Sequence, residues 1–103
     1  MPADSGVVLT PEFQVCGEQL SADQAEELKQ AGWELIGQHL GQEIVVDLSQ
    51  LQRANSVLVA VLLSWNRRAY QLEKSLRLAH PSQALTAMLS FSGLQTLFNE
   101  QSQ

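Results

Sequence analysis

Seven consecutive apolar residues, Val57 to Leu63, follow Asn55-Ser56 and run into Ser64-Trp65-Asn66-Arg67-Arg68. This run limits the fold more than any other part of the chain. It is far shorter than the roughly 20 residues a membrane-spanning helix needs, and the arginines close it. On a wheel of about 100° per residue, Leu58, Val61, Leu62, Trp65, Ala69 and Leu72 gather around one line, as a core stripe should. Ala60, Ser64, Arg67 and Gln71 lie opposite, toward water. Residues 56–74 therefore read as a helix lying on something apolar.

What it lies on is read from the segments around it. Glu43-Ile44-Val45-Val46-Asp47-Leu48 is β-branched and of strand length, and reads as a strand buried on both faces. Leu76-Arg77-Leu78-Ala79 is a second short strand on the far side of the helix. Upstream, Val7-Val8-Leu9 and Phe13-Gln14-Val15-Cys16, broken by Thr10-Pro11, read as a hairpin. Ser21, with Gln24 three residues on, marks the start of a helix over 22–39. Leu28, Ala31, Leu35 and Leu40 recur there at helical spacing, and Gly32 and Gly37 weaken it slightly. Pro81 fits the first position of a further helix with Leu85, Met88 and Leu89 on one face, with His80 as its cap and Gly93 as its stop. Leu94–Phe98 is a candidate last strand before a polar tail. Strands alternating with helices imply parallel crossovers and an α/β sandwich over one domain, residues 1–103.

A second stripe on the long helix is not needed for that packing. Val59, Leu63, Asn66 and Tyr70 line one flank of it, either as a widened core edge or as a patch that docks a partner protein. Asn55 and Ser56 are both favoured helix caps, whose oxygens satisfy free N–H groups. Ser56 is also placed to be a phospho-acceptor or anion contact, because a helix N-terminus stabilises negative charge.

Charge and composition exclude several function classes. Residues 1–50 carry nine acids against Lys29 alone, while residues 51–103 carry five bases against two acids, for a net charge of −5. An acidic total argues against non-specific nucleic-acid binding. Arg67, Arg68, Lys74 and Arg77 remain a candidate local basic patch, with Arg67 and Arg68 as its centre, or a solvated helix end. One cysteine, Cys16, permits no intrachain disulfide, and with His39 and His80 far apart it suggests no metal site. The first residues show no basic-then-apolar signal pattern, so a cytoplasmic protein is expected. The histidines lack a nucleophile or carboxylate at a catalytic spacing, Asp47 reads as a turn or cap residue, and the glycines are scattered. No catalytic residue and no cofactor is expected.

The stretch Val46-Asp47-Leu48-Ser49-Gln50-Leu51-Gln52-Arg53-Ala54-Asn55-Ser56, leading into an apolar helix, resembles the STAS domain family. Within it, Val46-Asp47-Leu48-Ser49, Arg53, Leu62-Leu63 and Trp65-x-Arg67-x-Ala69 look most like the MlaB-like branch. Leu76-Arg77-Leu78, Pro81, Leu85, Leu89 and Gly93-Leu94 continue the likeness, which covers about 43–98. Earlier residues agree only in element order and in a strand running into Gly17-Glu18-x-Leu20. The resemblance implies a STAS-like α/β fold, a four- to five-stranded mixed sheet with helices mainly on one face. It implies a non-catalytic accessory subunit, peripheral to the inner membrane and without direct membrane insertion. Its partner would be the MlaF-like ATPase of an Mla-type phospholipid-transport ABC complex that maintains outer-membrane lipid asymmetry. In the alternative branch it implies an anti-sigma-factor antagonist whose Ser56 is phosphorylated by a kinase. Ser56 matches the family's Ser/Thr at the helix start, with Asn55, Val59, Leu63, Asn66 and Tyr70 as partner-binding candidates. The family's usual Asp is Asn55 here and its usual glycine is Leu58, which favours docking over a kinase switch.

Overall fold

The computed structural model describes residues 7–91, 93 and 99–100. Strand β1 (Val8–Leu9) turns back antiparallel onto β2 (Val15–Cys16), pairing Val8 with Cys16 and Leu9 with Val15. Helix α1 (Ala22–Gln38) leads to β3 (Glu43–Asp47), α2 (Ser56–Gln71), β4 (Ser75–Ala79), α3 (Gln83–Phe91) and β5 (Asn99–Glu100). Strands β3, β4 and β5 form a parallel sheet in that order. Single parallel bridges, Gln14 to Asp47 and Gly17 to Leu51, tie the residues flanking β2 to the end of β3 and the loop after it, so the two-stranded antiparallel hairpin lies alongside the three-stranded parallel sheet. The expected hairpin, three helices and parallel crossovers are all present.

Side-chain alternation decides which face is covered. Ile44, Val46, Leu76 and Leu78 are fully or almost fully buried beneath the helices, while Val45 and Ser75 are exposed and Arg77 is half-buried. The expectation that the central strand is buried on both faces is thus wrong. One face carries the helices; the other carries the ion pair of Arg77 Nε with Glu43 Oε2 at 2.8 Å. An unbroken apolar run concealed a strand with one solvated face, a pattern more usual in antiparallel sheets.

Helix α2 sits centrally. Leu58, Val61, Leu62, Trp65 and Ala69 are buried, as the wheel predicts. Leu72 is not in that stripe: the helix ends at Gln71, and Leu72 lies half out at its C-cap. In α1, Leu28 is buried as expected and Leu35 packs half-buried against the core, but the fully buried line continues through Gly32 and Ile36, while Ala31 faces solvent and Leu40 lies beyond the helix, 99% exposed. Ser21 precedes α1 as expected, but its side chain caps nothing.

The last helix starts two residues later than Pro81 suggests. The Leu85 amide donates to Ser82 Oγ at 3.1 Å, so Ser82 is the cap. His80 is instead an exposed residue with positive φ. Gly93 ends that segment with φ of 69°, a conformation glycine adopts without strain. The final strand falls at Asn99–Glu100, inside the stretch read as a polar tail, and 94–98 lie outside the described residues.

Candidate functional site

The start of α2 is held by the segment that follows β2. The amides of Gly17, Gln52 and Arg53 donate across to Gln50 O, Gly17 O and Glu18 O at 3.2, 3.0 and 2.8 Å. These bonds stitch the β3–α2 loop to residues 17–20. Asn55 completes the seam: Oδ1 accepts from the Leu58 amide at 3.0 Å, and Nδ2 donates to Leu20 O at 2.8 Å. The second bond gives a physical reason for an amide rather than a carboxylate at position 55. An ionised carboxylate only accepts, and it could not face a backbone carbonyl at that distance.

Ser56 is the first residue of α2; it is exposed, and its side chain makes no hydrogen bond among the described residues. The first turn of α2 holds no acidic residue, so nothing in that turn offsets its partial positive charge. The sequence offers both Asn55 and Ser56 as caps, and the folded chain uses the first. Asn55 is the cap, and Ser56 is a free hydroxyl beside it.

At the other end of the loop, Asp47 Oδ1 accepts from the Ser49 amide at 2.9 Å and Oδ2 from Gln14 Nε2 at 3.3 Å. The Ser49 amide is the main cause of a pKa held below the usual aspartate value, with smaller help from His80 and Gln14 and some opposition from burial. Asp47 is the last residue of β3, and its side chain caps the turn that follows, the role read from sequence, fixing the loop that delivers Asn55.

The two flanks of α2 differ. Toward α1, Trp65 Nε1 donates to Lys29 O at 3.1 Å and Trp33 Nε1 donates to Ser64 Oγ at 3.0 Å. Ser64 was read as facing water; it is half-buried as that acceptor. The Arg68 guanidinium lies 5.8 Å from the centre of the Trp33 ring, with Lys29 Nζ at 5.5 Å. A Cβ on Gly32 would stand 2.1 Å from the Trp65 indole, so glycine is what lets the helices close. Sequence reasoning saw that glycine only as a weak point.

On the flank away from α1, Val59, Leu63 and Asn66 are half-buried and Tyr70 is 80% exposed. Val59 and Leu63 rest against the core. α3 also packs on α2, and right-handed crossovers place it on this side. Tyr70 opens onto a shallow cleft of about 640 Å³ shared with Gln42, Gln71, Glu73, Lys74 and Ser75. Ser56 and Tyr70 end this stripe about 21 Å apart, at 1.5 Å rise per residue.

The four bases do not meet in one patch. Arg67 is exposed, Arg68 covers Trp33, Lys74 Nζ caps the chain after α1 at His39 O and Gly41 O, and Arg77 is ion-paired on the open sheet face. His39 Nε2 is 2.9 Å from Glu43 O, a structural contact. Among the described residues, no group of three His, Cys, Asp or Glu side chains is placed to hold a metal ion. No described helix is long and apolar enough to cross a membrane.

Known proteins share this arrangement. A family model described as the MlaB STAS domain matches residues 15–99. The anti-sigma factor antagonist SpoIIAA in its unphosphorylated form superposes with a TM-score of 0.66 at 18% identity, covering 94% of this chain and 87% of its own. A putative anti-sigma factor antagonist from Thermotoga maritima gives 0.69 at 14% identity, with 91% and 82% covered. The phosphorylated Bacillus cell-fate determinant SpoIIAA gives 0.59 at 18% identity, with 94% and 90% covered. At these identities the structures speak for the fold. No curated protein matches the sequence.

Proposed function

The chain belongs to the MlaB-type STAS domain family, and from that premise we propose that it is a non-catalytic accessory subunit. Its partner is the cytoplasmic, MlaF-like ATPase of an Mla-type phospholipid-transport ABC complex, and the docking element is α2. The complex would maintain outer-membrane lipid asymmetry, with this subunit peripheral to the inner membrane.

One observation carries the reading. α2 offers a free hydroxyl at Ser56 beside an apolar flank, Val59 and Leu63, at the end of a loop fixed by Asp47, Asn55 and residues 17–20. A rigid, half-apolar helix start with one unused polar group is what a protein–protein contact uses. Asn66 and Tyr70 extend it; Arg67 lies on the adjoining solvent face.

Co-expression with an Mla-type ATPase followed by pull-down tests this. The wild-type pair is expected to co-purify. Leu63→Asp is expected to weaken the complex at least tenfold while circular dichroism stays native, since an unpaired charge at an interface costs several kcal/mol. Failure of the wild-type chain to form any complex sinks the reading.

The exposed, unbonded Ser56 hydroxyl favours a second reading, an anti-sigma-factor antagonist switched by a kinase. A phosphate there would meet the helix N-terminus without acidic neighbours in the first turn. Intact-mass analysis of the protein from its native cells separates the two: a phosphate on Ser56 supports the switch, and its absence under all growth conditions removes it.

A further inference from the structure

A second surface lies beyond α1 from α2, between that helix and the hairpin. Leu9 and Pro11 from the hairpin and Ala31, Glu34, Leu35 and Gln38 from α1 line a groove of about 250 Å³. Ala31 is about 160° round the helix from Trp33, which faces α2, so the groove points away from the α2 surface. Leu9 and Leu35 are half-buried and form an apolar floor; Pro11, Ala31, Glu34 and Gln38 are exposed walls. The volume is below the about 300–1,000 Å³ of small-molecule sites, and suits one or two side chains of a peptide.

The charge around the groove is of one sign. Asp23, Glu27 and Glu34 fall within about 40° of one another on α1, next to Ala31 and Gln38, and all three are exposed. Glu12 follows Pro11 at the hairpin and is exposed as well. Lys29, the one base in residues 1–50, is on the other flank, where it pairs with Glu26 at 3.1 Å and lies near Trp33. The acids beside the groove thus face solvent without a cation from α1 or the hairpin.

We propose that this groove docks a short basic, amphipathic segment of a partner protein, with an apolar side chain on Leu9 and Leu35 and flanking Lys or Arg against Glu34, Glu27 and Glu12. Apolar burial supplies the hold, and the acidic rim selects the sign of the partner and speeds encounter. With the exposed flank of α2 facing one way and this groove, beyond α1, facing another, the domain can bridge two partners. The proposal stands independently of which partner binds α2.

A hexapeptide of alternating lysine and leucine is the probe, titrated into the full-length 15N-labelled chain and followed by NMR. Saturable shifts are expected at Leu9, Ala31, Glu34 and Leu35, weakening as salt rises. Glu34→Lys and Ala31→Arg, both at exposed helix positions, are expected to weaken binding at least tenfold. Replacing the peptide's leucines by serine, or its lysines by glutamate, is expected to do the same. Glu26→Lys makes the same charge change on the other flank, and is expected to leave binding within twofold. The proposal is overturned if Glu26→Lys weakens the peptide as much as Glu34→Lys does, which means diffuse charge attraction. It is equally overturned by shifts confined to α2, by no saturation at millimolar peptide, or by sedimentation showing that the groove is filled by a second copy of this chain.

Discussion

The two flanks of α2 are made of similar residue types and do opposite jobs. On the α1 side, Ser64, Trp65 and Arg68 are each engaged by α1, through two hydrogen bonds and a cation stacked on Trp33. On the other side, Asn66 and Tyr70 make no side-chain hydrogen bond among the described residues, and Val59 and Leu63 remain half-buried. Directional bonds fix one helix against another, because each leaves a buried polar group unpaired if the helices shift. A flank held only by partial apolar contact keeps its polar groups free for a second molecule. Stability and binding should therefore respond to different residues of the same helix.

The α1 side breaks hardest. Trp65→Ala empties a fully buried site and frees Lys29 O, and should cost about 3–5 kcal/mol in urea unfolding, a large share of a small domain's stability. Gly32→Ala comes next. A helical Gly→Ala change ordinarily gains up to about 1 kcal/mol. Here the new Cβ would overlap the Trp65 indole, so a net loss of about 1–2 kcal/mol is expected from overpacking. The double variant sharpens the point: with Trp65 already alanine, Gly32→Ala should turn neutral or stabilising. Additive losses would mean that the two residues do not oppose one another.

Asn55 belongs to both jobs. Asn55→Ala should lose about 1–2 kcal/mol through the cap and the Leu20 bond, and, on the proposed docking role of α2, also weaken the proposed ATPase complex by misplacing Ser56. Asn55→Asp tests the second bond alone. The carboxylate improves the dipole interaction but sets an acceptor against Leu20 O, so a loss rather than a gain is expected on unfolding. Smaller again is the Asp47 contribution. Its folded-state pKa is depressed, so its stabilisation is full above the unfolded value of about 3.9 and disappears as pH falls through the lower folded value. The stability difference between wild type and Asp47→Asn should follow that course and stay flat above about pH 5.

Local chemistry was legible in the sequence and remote contact was not. The buried stripe of α2, short of Leu72, and a cap within Asn55-Ser56 are set within one turn or one face, and pattern alone finds them, though not which of the two residues caps. Gly32 is explained only by an indole 33 positions later, and nothing local distinguishes it from a tolerated weak point. Likewise, Leu40 fits helical spacing but lies past the end of α1, where Lys74 from across the fold caps the carbonyls. The open sheet face was hidden because Val45 is as apolar as Val46, and only the placement of helices says which one meets water. For the site, the start of α2 was readable, while its support from residues 17–20 depends on a strand pairing that no spacing encodes.

The smallest expected change in stability tests the comparison most directly. Tyr70 is 80% exposed, so Tyr70→Ser should shift unfolding by no more than about 0.5 kcal/mol. Its effect on the proposed ATPase complex then reports how far along α2 the proposed contact reaches. A standard interface buries about 800 Å² per partner, a patch roughly 30 Å across. The stripe from Ser56 to Tyr70 runs about 21 Å at helical rise, so a partner centred on it would cover both ends. Tyrosine at such a site commonly contributes more than 1 kcal/mol, and Tyr70→Ser is expected to weaken the complex by about tenfold. If binding is unchanged while Leu63→Asp abolishes it, the docking flank ends by Asn66. Tyr70 then belongs to the separate cleft it shares with Gln42, Glu73 and Lys74.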